Sequence, residues 1–362
     1  KPTPVPKIIW SFWQEESWTH WLSEALSFNG VKTLGNFLNR HSYDYHQVFG
    51  SKDPQLPPFL EVCVLTWTKL NPDYDIRLLN FHNMWDWVNK SDLPVKFDDL
   101  SIMAHKSDAV RLAVLNKYGG TWMDMSILLL KPLSNMLGPD RTERPFFILK
   151  VQRFVENWFL SAPPNDPFLG KVVKCQHEIY SKQNDQHGME TTGMFSARQQ
   201  QDLCDLNIDC PWKSMGMGYL SSHACFYKTL DEDPEMDEFY NSRVHKYEGY
   251  EHAASQMMWK FNDTTTCHNR DQAQLPGISE IEYINSPPWV KNFLYTTCPE
   301  MTHYFLDKGL NLLKFSGDSR KDVVAFSKYE ILCAKSTLTE ILKKIGVIDG
   351  EIEDMCGARK SA

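Results

Sequence analysis

Three charged side chains that lie close together in the sequence define the chemistry to consider: Asp108, Arg111 and Asp124, within SDAVRLAVLNKYGGTWMDMS from Ser107 to Ser126. Asp108 and Arg111 are spaced i, i+3, so on a helix both heads leave one face. Asp124 follows the pair Gly119-Gly120, and glycines let backbone turn tightly and approach a ligand. Two carboxylates and a guanidinium converging on one point suit a small polar molecule. Carboxylates accept from sugar hydroxyls, and a guanidinium donates to hydroxyl or phosphate oxygens. A plainer account is an exposed helix ion pair, worth a few tenths of a kcal/mol, ahead of a glycine cap. Asp124 weighs against it, because it stands inside the otherwise apolar run WMDMSILLL, where a buried carboxylate needs a partner.

Elements that would position these residues can be read on either side. Lys7–Trp13 is β-branched and aromatic and predicts a buried first strand. Pro57–Leu70, which starts on proline and stops at Asn71-Pro72, predicts a helix, and the alternating run 74–79 a second strand. Strand, helix, strand is the unit of a parallel sheet. A helix is expected over Asp98–Tyr118, capped by Gly119-Gly120, with one strand from Thr121 to Leu130 directly after it. Further strands are expected at Pro145–Lys150 and near Trp158–Leu160. Past Asp166 the pattern predicts mostly helix, the last over Ser336–Ile345, while Gln14–Lys52 reads as an irregular excursion with some helix. In an open α/β sheet, ligands sit at the strand ends.

Composition narrows the partners. The 362 residues are 42% apolar and 23% charged, ordinary for a globular chain. The 12 Trp and 20 Phe are numerous enough to line a site that stacks sugars or bases as well as fill a core. A net charge of −8 without basic clusters excludes a nucleic-acid surface. Nine cysteines without CxxC or Cys/His ligand spacing exclude a structural zinc, and an odd number leaves a free thiol. His177, His187, His223, His245, His252 and His268 show no ligand spacing, Gly216-Met217-Gly218 is a weak phosphate-loop candidate, and Glu251-His252 reads as a solvated loop pair. No run of eighteen apolar residues suits a membrane span. The Lys1 start among prolines suggests trimming within a stem or linker, and Asn89-Lys90-Ser91 and Asn262-Asp263-Thr264 are glycosylation sequons. These features lean towards a Golgi or secretory lumen, with the cytoplasm as alternative.

The blocks Pro6-Lys7-Ile8-Ile9-Trp10-Ser11-Phe12-Trp13, Ser107-Asp108-Ala109-Val110-Arg111-Leu112 and Tyr118-Gly119-Gly120-Thr121-Trp122-Met123-Asp124 resemble the capsular polysaccharide synthesis family of glycosyltransferases. That family is related to DXD-containing sugar transferases of the Och1 and clostridial-toxin types. Weaker matches lie at Trp67–Tyr74, Asn157-Trp158-Phe159, Tyr219–Phe226 and Leu313-Lys314-Phe315. The resemblance implies an α/β, GT-A-type (Rossmann-like) nucleotide-sugar-binding domain with a largely helical C-terminal portion. It implies a single catalytic domain over 1–330, its donor half at 7–140 and its acceptor half at 141–330, then a helical extension over 331–362.

The implied reaction moves a sugar, with retention, from a nucleotide-sugar donor, a UDP-sugar in kind, to a glycan, lipid-linked saccharide or other glycoconjugate acceptor. By residue, Ile9 and Trp10 meet the nucleobase, Asp108 and Arg111 hold sugar hydroxyls, Gly119 and Gly120 permit close approach, and Trp122 packs by the ribose. Asp124 matches the first Asp of DXD, and Lys314 serves the diphosphate. Asp124, Asp108 and Arg111 form the expected catalytic set, with Asp124 and Ser126 holding Mn²⁺ or Mg²⁺. Ser126 departs from the motif, since a hydroxyl is a poorer ligand for a hard cation than a carboxylate. That departure motivates an alternative, a non-catalytic donor- or glycan-binding homologue.

Overall fold

The computed structural model of the chain describes residues 4–14, 56–138, 144–151, 153–182, 196–206, 220–249, 255–257, 271–272, 288–315, 326 and 328–360. The excursion expected at Gln14–Lys52, the loops at 216–218 and 251–252 and the sequon at Asn262 lie largely or wholly outside these residues. The chain divides into two compact units that interleave along the sequence. The first comprises Lys1–Trp13, Asp73–Asp124 and Leu137–Tyr250, and the second Gln14–Pro72, Met125–Met136 and Glu251–Ala362.

The first unit holds strands β1 (Ile8–Phe12), β2 (Asp75–Leu79), β3 (Gly120–Met123), β5 (Phe146–Val151), β6 (Phe154–Ala162) and β7 (His245–Glu248), in the order β2-β1-β3-β6-β5-β7. β1 pairs in parallel with both β2 and β3, as the strand-helix-strand reading predicts. Beyond β3 the sheet turns antiparallel, through β6 and its hairpin partner β5, before β7 joins β5 in parallel. Helix α2 (Met103–Tyr118) packs over β1, β3 and β6, with α3 (Pro167–Lys182) against it and α5 (Ser221–Glu232) against α3 and β6. α4 (Ala197–Leu206) and α6 (Pro234–Arg243) complete the layer. α2 is buried through its middle, from Asp108 to Leu115, which is why its sequence shows no single apolar stripe. Its expected start at Asp98 moves to Met103, because Ile102 is extended and caps the helix.

The second unit holds α1 (Pro58–Leu70) and a sheet in the order β4-β11-β8, from Ile127–Leu129, Leu312–Lys314 and Ser255–Met257, together with the pair β9 (Asp271–Gln272) and β10 (Thr296–Thr297). Helices α7 (Pro299–Asp307), α8 (Lys328–Cys333), α9 (Thr337–Lys344) and α10 (Gly350–Lys360) follow. Trp67 anchors α1 to β4 by donating its indole N–H to the Ile127 carbonyl at 2.7 Å. Among the described residues, no helix is long and apolar enough to cross a membrane.

Two expectations change. The strand predicted over Thr121–Leu130 is two strands, β3 and β4, belonging to sheets of different units. Both halves are buried on both faces, and strands of that kind carry no alternation that would mark a break. The mostly helical tail also contains β7 to β11, too short to show a period of two, and α10 follows the helix expected to be last.

Candidate active site

The turn between α2 and β3 brings the sequence cluster together. From Arg111 to Tyr118 the helix, and from Gly120 to Asp124 the strand, each cover roughly 10–13 Å, so the chain goes out and returns to the same level. The Arg111 guanidinium lies 3.0 Å from Asp108 Oδ1 through one nitrogen and donates to Asp124 Oδ1 at 3.0 Å through another. Trp122 donates its indole N–H to the same Asp124 oxygen at 3.1 Å, and its ring centroid lies 4.8 Å from the guanidinium carbon. Arg111 Nε has no hydrogen-bond partner among the described residues. An unsatisfied buried donor costs about 1–3 kcal/mol, a cost that two carboxylates and an aromatic face offset.

Exposure separates the members. The side chains of Arg111 and Asp108 are 5% and 6% exposed, that of Asp124 27%. Asp108 is engaged at both oxygens, with Asn157 donating to Oδ1 at 3.1 Å and Ser222 to Oδ2 at 3.0 Å. Asp124 is therefore the edge of the cluster open to solvent, and Asp108 is the part that holds Arg111 in place. Asn157 and Ser222 belong to the matched blocks of the sequence, but neither residue type announces a contact to Asp108.

The glycines have a reason inside the protein. Gly119 caps α2 at φ 65°, and a Cβ there would stand 2.6 Å from Pro164 N and 2.8 Å from the Ala162 carbonyl oxygen. At Gly120, φ 103°, a Cβ would stand 2.8 Å from the Ile8 carbonyl oxygen. Close approach is required by β1 and by the Ala162–Pro164 backbone. Ile9 and Trp10, expected to meet the nucleobase, are both completely buried. Trp10 donates to the Gly119 carbonyl at 2.8 Å and packs against Trp87, Tyr118 and the Arg77 guanidinium, so it locks the turn. Trp122, 1% exposed, orients Asp124 rather than opening to a ribose.

Beside the cluster, Glu156 on β6 and His223 on α5 are both 6% exposed, with Glu156 Oε2 at 3.8 Å from His223 Nε2. His223 stacks on Phe154, and its Nδ1 has no hydrogen-bond partner among the described residues. Glu156 and His223 thus form a buried carboxylate–imidazole pair.

The second unit carries the other two predicted residues. Lys314 on β11 donates to Ser126 Oγ at 2.9 Å, with the side chains 5% and 1% exposed, and the Phe315 amide donates to the Ser126 carbonyl at 3.0 Å. Ser126 does not fit a divalent cation, because its hydroxyl oxygen already faces an ammonium and a second positive charge there is repelled. No group of three His, Cys, Asp or Glu side chains placed to hold a metal occurs among the described residues. Of the expected Asp124–Ser126 pair, Asp124 is engaged by Arg111 and Trp122 and Ser126 by Lys314. Cys63 is the free cysteine among the described residues. Burial pushes its thiol well above the ordinary range, against the opposing charge of Lys314, so it is no nucleophile.

Comparison with known proteins gives matches over part of the chain. Residues 52–187 match the family model described as Capsular polysaccharide synthesis protein, a stretch that contains Asp108, Arg111, Asp124 and Asn157. The O-glycosyltransferase braB of Annulohypoxylon truncatum is 26% identical over 35% of this chain and 34% of that protein. The Alpha-1,4-N-acetylglucosaminyltransferase of Homo sapiens is 29% identical over 29% of this chain and 28% of that protein. The match thus spans about a third of the curated relatives' length. The solved PaToxG Glycosyltransferase aligns over 65% of this chain and 79% of its own, at 13% identity and a TM-score of 0.34, too low to bear on the fold. Residues 52–187 are thus the part of this chain that is similar to the capsular polysaccharide synthesis family.

Proposed function

We propose that this chain is a glycosyltransferase of GT-A type that moves a sugar from a nucleotide-sugar donor, a UDP-sugar, to a glycan or lipid-linked saccharide with retention of anomeric configuration. The observation that carries the reading is the Arg111 guanidinium clasped between two carboxylates, with one of them, Asp124, open to solvent. Such a group with a net charge of −1 and fixed donors recognises hydroxyls in defined directions. Curated relatives named as glycosyltransferases support it. In this reading Asp124 accepts from donor-sugar hydroxyls, Arg111 fixes the sugar through Asp124, and Asp108 keeps Arg111 in register. Lys314 is assigned to the leaving diphosphate on the family resemblance. Same-face attack, assisted by the departing diphosphate, follows from the absence of an obvious nucleophile in the cluster. No step is routed through a metal.

An oxidising, lumenal compartment is part of the proposal, supported by the Cys175–Cys225 and Cys333–Cys356 disulfides. The exposed Asn89 sequon is then open to glycosylation. Nucleotide release across a panel of nucleotide sugars, with and without acceptor saccharides and Mn²⁺, tests the whole. Metal-insensitive release with one donor is expected. Ser126 in place of a second carboxylate favours the non-catalytic alternative, and tight donor binding with no release across the panel would establish that alternative instead.

A further inference from the structure

The contacts of Asp108 lead away from the ligand edge into the helical layer. Ser222 donates to Asp108 Oδ2 at 3.0 Å, and Gln176 on α3 donates its amide N–H to Ser222 Oγ at 2.8 Å. Directions are forced, because a carboxylate paired with Arg111 only accepts, so Ser222 must donate to it and can only accept from Gln176. Gln176 must therefore present its amino side, which leaves its Oε1 buried without a hydrogen-bond partner among the described residues. A leucine would fill that position without an orphan carbonyl. What Gln176 contributes is its N–H, aimed at Ser222.

The same two helices are cross-linked next to this contact. Cys175 precedes Gln176 on α3, and its disulfide partner Cys225 lies one turn beyond Ser222 on α5. Tyr180, one turn along α3, shares a 2.7 Å hydrogen bond with Ser221. Three connections thus fix the register at which Ser222 faces Asp108.

We propose that Ser222, held by Gln176, is a positioning residue for the Arg111–Asp124 pair, acting through Asp108, and that the Cys175–Cys225 cross-link sets its register. The inference rests on the reading of this cluster as the donor-sugar site. Ser222, 1% exposed and bonded to Asp108 and Gln176, sets where Arg111 points through Asp108. Loss of the hydroxyl frees Asp108 to rotate and Arg111 to follow, so donor binding weakens in ground state and transition state alike. Such a loss raises KM and leaves kcat unchanged.

The test compares the full-length Ser222→Ala, Ser222→Thr and Gln176→Leu variants by donor kinetics and by crystal structure. Ser222→Ala is expected to raise the donor KM about tenfold or more, the factor represented by a lost hydrogen bond to a charged group, with kcat little changed. Arg111 should leave its 3.0 Å contact with Asp124. Ser222→Thr should restore both, and Gln176→Leu should shift both in the same direction by less. The proposal is overturned by an Arg111–Asp124 contact that survives in Ser222→Ala, by a fall in kcat at constant KM, or by failure of threonine to rescue. If the unaltered chain proves inert towards every nucleotide sugar, the functional reading fails. The crystal structures still decide the relay, since the Arg111 position is read without turnover.

Discussion

The two ends of the Arg111 cluster hold the same guanidinium and differ in what surrounds them. At the Asp108 end the carboxylate is sealed under α5, met by Asn157 and Ser222, and 6% exposed; at the Asp124 end it is 27% exposed. Removing one partner of a buried pair strands a charge without water, whereas at a partly open edge water re-solvates it. Sequence spacing makes Asp108 and Asp124 look equivalent. Their surroundings divide them into one sealed residue and one open to solvent.

Substitution sharpens that division. Asp124→Ala is expected to lower transfer about a thousandfold, the scale of losing a preorganised polar contact, while lowering stability by under about 1 kcal/mol. Turnover by nucleotide release and thermal melting on one preparation check both halves, and near-normal turnover would remove Asp124 from the site. Asp108→Ala should show the opposite balance, a loss of roughly 3–5 kcal/mol of stability because Arg111 stays buried with one partner gone. Equal melting curves for the two variants would erase the comparison. Gly120→Ala should cost about 2–3 kcal/mol through overpacking and a positive φ, and nucleotide binding by the folded fraction should be unchanged, since the clash is with the Ile8 carbonyl.

Asp166 serves as a control for a buried carboxylate without a guanidinium. It caps α3 by accepting from the Phe168 and Leu169 amides, and burial, partly opposed by those amides, pushes its carboxyl up to about 6. Its folded value lies above its unfolded value near 4, so its contribution to stability is full below about pH 4 and is lost as pH rises through about 6. Asp166→Asn should remove that slope, and melts at pH 4 and pH 7 should show the variant gaining on the order of 2 kcal/mol relative to the unaltered chain across the interval. Parallel pH profiles would refute the assignment.

Much of this was legible in the residues themselves. β1, α1, β2 and α2 carry strong local signals, and the i, i+3 spacing of Asp108 and Arg111 placed both heads together before any fold was known. Asp124 was legible as a carboxylate needing a partner, though the partner was the site's own arginine. Gly119 and Gly120 announced an unusual backbone, but only the neighbouring carbonyls of Ile8 and Ala162 show what the missing side chains make room for. The family resemblance alone assigns Trp10 to the nucleobase, and an aromatic residue on a strand carries no mark of which face is covered. The break at Asp124–Ser126 was hidden for the same reason, since two buried strands in different sheets read as one apolar run. Ser222 and Gln176 lie far along the chain from Asp108, and such pairings have no local signature.

The interleaving of the two units bears on how the chain is made. Its path leaves one unit for the other after Trp13, Pro72, Asp124, Met136 and Tyr250, so the first sheet cannot be completed until β7, at His245–Glu248, has been synthesised. Ser222 must likewise wait on the ribosome's progress before it can meet Asp108. A nascent chain therefore carries an unfinished sheet edge and apolar strands for much of its synthesis. Neither unit corresponds to a continuous stretch that could be cut out and expressed alone.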